Sequence, residues 1–183
     1  MSNTDHKNTS SKIKIAFFDA DGTIYHMKTG IASKIKEAFH ELREKGVLIA
    51  LNTSRSFAFI PDEIKELDFD FISSSNGAYI TKRSEVVKNE TFAFEDACQL
   101  YHLLCEHKLV PILCGPNHVF FDFSKYTDRI DPWASITILS LGKKAIPITS
   151  LKKNCCINKI CVKVPSNLLV QEELFIALSE KNH

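Results

Sequence analysis

The stretch that most constrains this chain is IKIAFFDADGTIY at residues 13–25, where an apolar run ends in two carboxylates and a Gly-Thr pair. Polar and apolar residues do not alternate in the run, which predicts a strand covered on both faces, as in the middle of a parallel sheet. Asp19 and Asp21 follow at its carboxyl end, the end that faces the ligand crevice in open α/β sheets. Because residues two apart on an extended chain share a face, both carboxylates are expected to point at one site.

Such a pair of acids suits phosphoryl transfer. Asp19 could attack a phosphoryl group to form an aspartyl-phosphate, and Asp21 could protonate the leaving oxygen and later deprotonate the hydrolytic water. Two carboxylates and a phosphate repel one another, so the scheme needs a hard, oxygen-preferring cation beside the acid pair, for which Mg²⁺ is suited. Gly22 allows a tight turn, and Thr23 can hydrogen-bond within it. The competing interpretation is that Asp-Gly only marks a turn.

The next segments predict a βαβ unit that brings a second polar loop beside these acids. Apolar residues at helical spacing predict a helix over 33–45, with Ser33 as a possible N-cap and Gly46 as its stop, and 47–51 reads as another buried strand. A parallel pair of strands would place Thr53, Ser54 and Arg55 near the acids. Thr53 could donate a hydrogen bond to phosphate, and Arg55 could bind a second anionic group. Taken alone, this loop is better interpreted as one in which Thr53 or Ser54 caps the next helix, whereas its place beside the two acids favours phosphate binding.

Further along the chain, the pattern predicts a short helix over 61–67 and a third strand over 69–72. Two interpretations are open for Asn76-Gly77: Asn76 faces the site, or the pair forms a hairpin turn. The pattern then changes near residue 81. We expect a helix over 94–107, a hairpin around 115–117, a segment over 133–138, a strand over 156–164 and a final helix over 166–179.

The sequence DADGT after an apolar strand resembles the first motif of the haloacid dehalogenase-like (HAD) hydrolases. The later segments VLIALNTSR and ISSSNGAYI resemble their Cof-type branch. The resemblance implies an α/β fold with a partial Rossmann-like parallel core over 13–81 and an inserted α/β cap over 82–183. It implies Thr53 as the residue that binds the transferring phosphate, and Asp21 as a metal ligand through its backbone oxygen. At residues 53–55 the family usually has the sequence Thr-Gly-Arg, and this chain has Ser54 in place of the glycine.

Gly22, Ser54, Arg55 and Asn76 are also expected to bind substrate or phosphate. The resemblance implies a cap that closes over the site. Phe120, Phe121, Tyr126 and Trp133 could line that cap, although large aromatic residues more often belong to a core.

Two features of the family have no match here: a lysine after the cap and an acidic cluster similar to Gly-Asp-x-x-Asn-Asp. The strand that carries Asp19 is therefore expected to lie at an apolar sheet edge, which invites pairing with another chain. Three explanations compete: a fragment of a longer protein, a shortened and inactive gene product, or a half-core completed by a partner.

Composition narrows the possible partners. A net charge of +1 from 23 basic and 22 acidic residues gives no electrostatic reason for binding nucleic acid or an anionic membrane. Residues 1–12 are polar and lack the apolar centre of a secretion signal, so we expect a disordered tail and a cytoplasmic protein.

The six cysteines form no Cys-x-x-Cys pair and predict free, buried thiols. His102, Cys105 and His107 do not share one helix face, which argues against a zinc site.

The function expected from these observations is Mg²⁺-dependent hydrolysis of a small phosphorylated metabolite, similar to a sugar phosphate. A non-catalytic remnant that binds phosphorylated ligands, and a phosphomutase that returns the phosphoryl group to a sugar, remain the alternatives.

Overall fold

The computed structural model describes residues 13–125 and 132–163. They form β strands and α helices, together with four single-turn 3₁₀ helices. The strands are β1 (Ile15–Phe18), β2 (Tyr25–His26), β3 (Gly30–Ile31), β4 (Leu48–Asn52), β5 (Phe71–Ser74), β6 (Tyr79–Lys82), β7 (Glu85–Asn89), β8 (Ile112–Cys114), β9 (Val119–Phe121), β10 (Ala145–Pro147) and β11 (Lys159–Cys161). The helices are α1 (Ile35–Glu44), α2 (Asp62–Lys65), α3 (Phe94–Glu106) and α4 (Pro132–Leu141).

The first sheet has the order β1-β4-β5-β6-β7. Strands β1, β4 and β5 run parallel, and β6 and β7 continue the sheet in antiparallel fashion. The parallel pairing of β1 with β4, with α1 between them in sequence, confirms the predicted strand-helix-strand order and the α/β fold class. The division of the chain near residue 81 stays a prediction, and the first sheet extends through β7.

Helix α1 covers one face of this sheet through Phe39. The Phe39 ring is 1% exposed and lies between Phe18 of β1 and Phe69, with ring centroids 4.9 and 5.5 Å away. The predicted N-cap at Ser33 is wrong, because the helix begins after Lys34 and no side chain caps it. Gly46 ends the helix as predicted: it adopts φ +70°, and the Val47 amide donates back to the Leu42 carbonyl at 3.0 Å.

The prediction that β1 is covered on both faces is wrong. Phe18 packs into the core, whereas Phe17 on the opposite face is 64% exposed. The reason is that this face of the sheet is left uncovered near β1 in the described part of the chain, and Leu48 of the neighbouring strand is exposed on the same face. The apolar sheet edge expected from the sequence is confirmed within the described residues.

Two tight hairpins lie in the N-terminal half of the described chain, one between β2 and β3 and one between β5 and β6. The pairing of β2 with β3 was not predicted, since each strand has only two residues and no apolar alternation reveals it. The other hairpin joins β5 to β6 through the turn at Ser75, Asn76 and Gly77, all of which have positive φ. Of the two interpretations of Asn76-Gly77, the hairpin turn is therefore confirmed.

A second sheet has the order β10-β9-β8-β11. The hairpin of β8 and β9 confirms the one predicted around residues 115–117, and α3 matches its predicted helix. Phe120 and Phe121 are buried in its core and are not exposed wall residues. Strand β11 is shorter than predicted because its pairing with β8 covers only three residues. Tyr126 and the predicted final helix lie outside the described residues, as does the side chain of Trp133.

All six cysteines are free thiols, but only Cys114 is buried, so the expectation of six buried thiols is wrong. Cys156 is exposed, and the other four are partly buried. Among the helices of the described residues, none has the length and apolar character that crossing a membrane requires.

We predict that Phe39→Ala lowers the free energy of unfolding by about 3–5 kcal/mol, because truncation leaves a cavity between α1 and the sheet. Urea denaturation measures this change. Lys36→Ala, on the exposed side of the same helix, is the control and should change stability little. A loss below about 1 kcal/mol for Phe39→Ala would show that this ring does not hold α1 on the sheet.

Candidate active site

The ends of β1 and β4 form the base of the candidate site. Because these strands are parallel neighbours, the loops that follow them leave the sheet at the same edge. The first loop turns sharply: the Ala20 carbonyl accepts hydrogen bonds from the amides of Ile24 and Tyr25 at 3.2 and 2.9 Å. Ala20 is fully buried, while Asp19 and Asp21 on either side of it are exposed. The turn therefore anchors the backbone in the core and leaves both carboxylates accessible.

Gly22 sustains this turn rather than offering its amide to a ligand. It adopts φ +76°, a region that other residues rarely enter, and its N–H donates to the Tyr25 carbonyl at 2.9 Å. A binding role for Gly22 remains a prediction. In the structure, the hydrogen bond from its amide to Tyr25 closes the turn that leads into the β2–β3 hairpin.

Arg55 binds the Asp21 carboxylate with both arms of its guanidinium. Nε donates to Oδ2 at 2.8 Å, and one terminal nitrogen donates to Oδ1 at 2.7 Å. This two-point geometry matches a planar guanidinium to a planar carboxylate. The hydrogen bond from Arg55 holds the pKa of Asp21 below its usual value, although partial burial opposes the shift. Asp21 is therefore ionised in this arrangement at neutral pH.

The Arg55 side chain is itself restrained on two other sides. Its second terminal nitrogen donates to the Phe59 carbonyl at 3.0 Å, and its guanidinium carbon lies 5.7 Å from the centre of the Tyr25 ring. The bonded Asp21 carboxylate raises the pKa of Arg55, and the charge of Asp19 acts in the same direction. The guanidinium thus lies in the field of both predicted catalytic acids.

Thr53 directly follows β4, at the start of the second loop of the site, and is 3% exposed. Its amide donates to the Ser73 carbonyl at 2.9 Å, and its hydroxyl accepts a hydrogen bond from the Arg55 amide at 3.2 Å. The hydroxyl proton remains free to be donated elsewhere, because the oxygen is the acceptor in that bond. Next to it, Ser54 has no positive φ, so its backbone does not require the glycine expected at this place.

Asn76 lies in the β5–β6 turn and is exposed, with φ 57°. The turn is tied to the site loop by one hydrogen bond, from the Ser75 amide to the Arg55 carbonyl at 2.7 Å. No contact joins the Asn76 side chain to Asp19 or Asp21 among the hydrogen bonds of the described residues. Its role in binding therefore stays a prediction.

Sequence reasoning missed Lys159. Its ammonium donates to the Ser54 carbonyl at 2.7 Å, which connects β11 of the second sheet to the loop that carries Thr53 and Arg55. Nothing in the sequence separates this lysine from the others between 143 and 163, so only the fold reveals the contact.

Comparison with known proteins identifies the class to which this fold and site belong. A family model described as haloacid dehalogenase-like hydrolase matches residues 16–168. Since the match covers most of the 183 residues, the chain belongs to the haloacid dehalogenase-like hydrolase family. The resemblance carried by the DADGT motif is confirmed.

Relatives of this chain include proteins named as phosphatases. "Putative phosphatase YxeH" of Bacillus subtilis (strain 168) is 25% identical over 169 residues, which make up 89% of this chain and 57% of that protein. The structure of BT1666 from Bacteroides thetaiotaomicron, analysed among HAD phosphatases, has a TM-score of 0.71 at 20% identity and covers 97% of this chain and 65% of its own. The HAD subclass IIB sugar phosphatase BT4131 has a TM-score of 0.68 at 19% identity, covering 88% and 62% respectively.

The structural similarities at this identity establish the shared fold. The chain spans less than two thirds of the length of each of these three proteins.

We predict that Arg55→Met raises the pKa of Asp21 toward its ordinary value, because the guanidinium that stabilises the carboxylate is lost. Titration of the Asp21 carboxyl carbon by ¹³C NMR measures the shift. The matched control is Arg83→Met, which removes an exposed arginine from the Arg83–Asp70 ion pair and should leave the Asp21 titration unchanged. An unaltered midpoint in Arg55→Met would show that this ion pair does not form in solution.

Proposed function

We propose that this chain is the phosphoryl-transfer part of a HAD phosphatase that hydrolyses a small phosphorylated metabolite, such as a sugar phosphate. The observation that carries the proposal is the exposed Asp19 at the end of β1, with an Asp21 that Arg55 binds and a buried Thr53 that follows the neighbouring parallel strand β4. Family membership and the names of the similar proteins support the reaction class.

In the proposed reaction, a carboxylate oxygen of Asp19 attacks phosphorus and displaces the alcohol oxygen of the substrate. Asp21 gives that oxygen a proton and then removes one from the water that hydrolyses the aspartyl-phosphate. The ion pair imposes a condition on this sequence. A carboxylate is ionised at neutral pH, and the hydrogen bond from Arg55 favours that form further, so Asp21 must leave the guanidinium and take up a proton before it can act as an acid.

The substrate phosphate supplies a reason for Arg55 to move. A phosphate offers the guanidinium the same two-point geometry with more negative charge than a carboxylate. In this proposal Arg55 then binds substrate together with Thr53, while Ser54 and Gly22 shape the loops and Asn76 borders the site. Asp21, released from Arg55, can then take up a proton from solvent, donate it to the leaving oxygen and later recover one from the hydrolytic water.

The donors at the site suit Mg²⁺, which prefers oxygen ligands, retains several waters and often takes substrate phosphate as a ligand. The exposed carboxylate of Asp19 and the backbone oxygen of Asp21 are the proposed protein ligands. The described residues contain no group of three or more His, Cys, Asp or Glu side chains arranged to hold a metal. When bound, the ion would neutralise charge between the carboxylate and the phosphate.

The second sheet is proposed to act as the cap over this site, which would restrict substrates to small molecules. Six free thiols support a reducing, cytoplasmic location. The division into a core over 13–81 and a cap over 82–183 is part of the same proposal.

We predict that the chain releases inorganic phosphate from p-nitrophenyl phosphate in the presence of Mg²⁺ and that Asp19→Asn abolishes this release. Asp21→Asn should lower kcat by about 10²–10⁴-fold, because it removes general acid-base catalysis. Asp96→Asn, a matched substitution in the first turn of α3, is the control and should retain activity. Equal rates for Asp19→Asn and the unchanged protein would eliminate Asp19 as the nucleophile.

A binding role without turnover is the second candidate, because the Thr53 hydroxyl and the Arg55 guanidinium can hold a phosphate group without hydrolysing its ester. Retention of inorganic phosphate by a chain that shows no hydrolysis would support it. Transfer of the phosphoryl group to a sugar acceptor, without release of phosphate, would instead indicate a mutase.

We also propose that the chain self-associates through the β1 edge. Phe17 is 64% exposed there and Leu48 is 44% exposed, and both lie on the sheet face opposite Phe39. Phe17→Lys should weaken association about tenfold or more in sedimentation velocity experiments, since buried aromatic residues dominate such contacts. Phe92→Lys is the control, since this phenylalanine is 41% exposed and follows β7 at the other end of the sheet. A protein that is monomeric at all concentrations would contradict the proposal.

A further inference from the structure

The contact between Lys159 and Ser54 joins residues 105 positions apart in the chain. The Lys159 ammonium lies 2.7 Å from the Ser54 carbonyl oxygen, which is a charge-assisted hydrogen bond of ordinary length. The Ser54 carbonyl and the Arg55 amide belong to one peptide group. That amide is the donor to the Thr53 hydroxyl at 3.2 Å. A single peptide plane therefore connects Lys159 to the proposed phosphate ligand Thr53.

The fold fixes the direction from which Lys159 reaches this peptide. The preceding residue, Asn158, is buried, and its amide donates to the Cys114 carbonyl at 2.9 Å within the sheet. The Asn158 side chain also donates to the Asn89 side chain at 2.8 Å and to the Glu90 carbonyl at 2.6 Å. The backbone at Lys159 is thus fastened both to β8 and to the end of β7.

The short helix that follows Arg55 is held by the same sheet. Ala58 belongs to a buried cluster with Cys114 and Val119 of the second sheet, and Phe59 packs against that cluster. Phe59 in turn supplies the carbonyl that binds the Arg55 guanidinium. The second sheet therefore restrains the site loop at two points, through an apolar contact and through the Lys159 ammonium.

We propose that Lys159 is a positioning residue for phosphate binding. By holding the Ser54 carbonyl, it orients the Ser54–Arg55 peptide so that the Thr53 hydroxyl proton and the Arg55 side chain face one phosphate. The charge on the ammonium also polarises the peptide, which makes the Arg55 amide a stronger donor to Thr53. The inference rests on the proposed function, and it adds a residue from the second sheet to the phosphate site.

A comparison of lysine variants separates positioning from simple attachment of the second sheet. Lys144 provides the matched control, because its ammonium also reaches from the second sheet to the N-terminal part of the chain, donating to Asp62 at 2.9 Å. No hydrogen bond or ion pair among the described residues joins it to residues 53–55. The variants are Lys159→Met, Lys159→Arg and Lys144→Met. Inorganic phosphate is the probe, and its affinity is measured by calorimetry and by competitive inhibition of p-nitrophenyl phosphate hydrolysis.

We expect Lys159→Met to weaken phosphate binding and to raise KM, each about 3- to 10-fold, with a smaller change in kcat. Lys159→Arg should restore most of the affinity, because a guanidinium can still donate to the carbonyl. Lys144→Met should stay within about twofold of the unchanged protein. Unchanged phosphate affinity in Lys159→Met, or an equal loss in Lys144→Met, would overturn the proposal.

The two proposals can fail separately in this experiment. If the unchanged chain binds phosphate but does not hydrolyse the ester, catalysis as proposed is wrong, and the calorimetric ratio still decides the role of Lys159. If it hydrolyses the ester and Lys159→Met behaves like the unchanged protein, only the role of Lys159 is wrong. If it neither binds phosphate nor turns over, both proposals are overturned.

Discussion

The candidate site is held together by the Arg55 guanidinium. It binds Asp21 from the loop after β1, the Phe59 carbonyl from the following 3₁₀ helix, and lies beside the Tyr25 ring of the β2–β3 hairpin. Only a planar group with several donors in a fixed arrangement can satisfy these partners at once. Because Asp21 is one of them, the same interaction that orders the loops also lowers the pKa of the proposed acid-base residue.

This arrangement depends on strand pairing that is remote from the chemistry. The register of β1 on β4 places Phe18 opposite Leu51, so the acidic loop and the Thr53 loop begin at the same level of the sheet. Phe39 of α1 packs against Phe18 on one face of the sheet and holds the edge strand β1 in place. A shift of one residue in the pairing would turn Phe18 away from the core. The register that buries Phe18 in the core is therefore the same register that sets the distance between the loops after β1 and β4.

The sequence was sufficient to predict the parts that depend on local pattern. Continuous apolar runs predicted β1 and β4, Gly46 marked the end of α1, and the DADGT segment indicated the acidic turn. It could not predict the pairing of Arg55 with Asp21, because an arginine after a strand has many possible partners. The β2–β3 hairpin was too short to produce a pattern. Lys159 was one lysine among several, and its contact arises only when the second sheet meets the loop.

The prediction of two covered faces for β1 was wrong for a physical reason. Apolar content reports how much burial a segment favours, whereas the burial achieved depends on which neighbours the fold supplies. Phe18 has such a neighbour in Phe39, but Phe17 is largely exposed in the described part of the chain. The mismatch between apolar content and burial is therefore concentrated at the strand that carries Asp19.

The substitution of serine for the family's glycine at position 54 shows how the loop tolerates change. A glycine is irreplaceable where φ is positive or where a Cβ would collide, and Ser54 lies outside the positive-φ region. The part of Ser54 that the structure uses is its carbonyl, which any residue would offer to Lys159. The side chain at this position is exposed, while its carbonyl is held by a hydrogen bond from the second sheet. In this loop the backbone, more than the identity of residue 54, determines how Thr53 and Arg55 are presented.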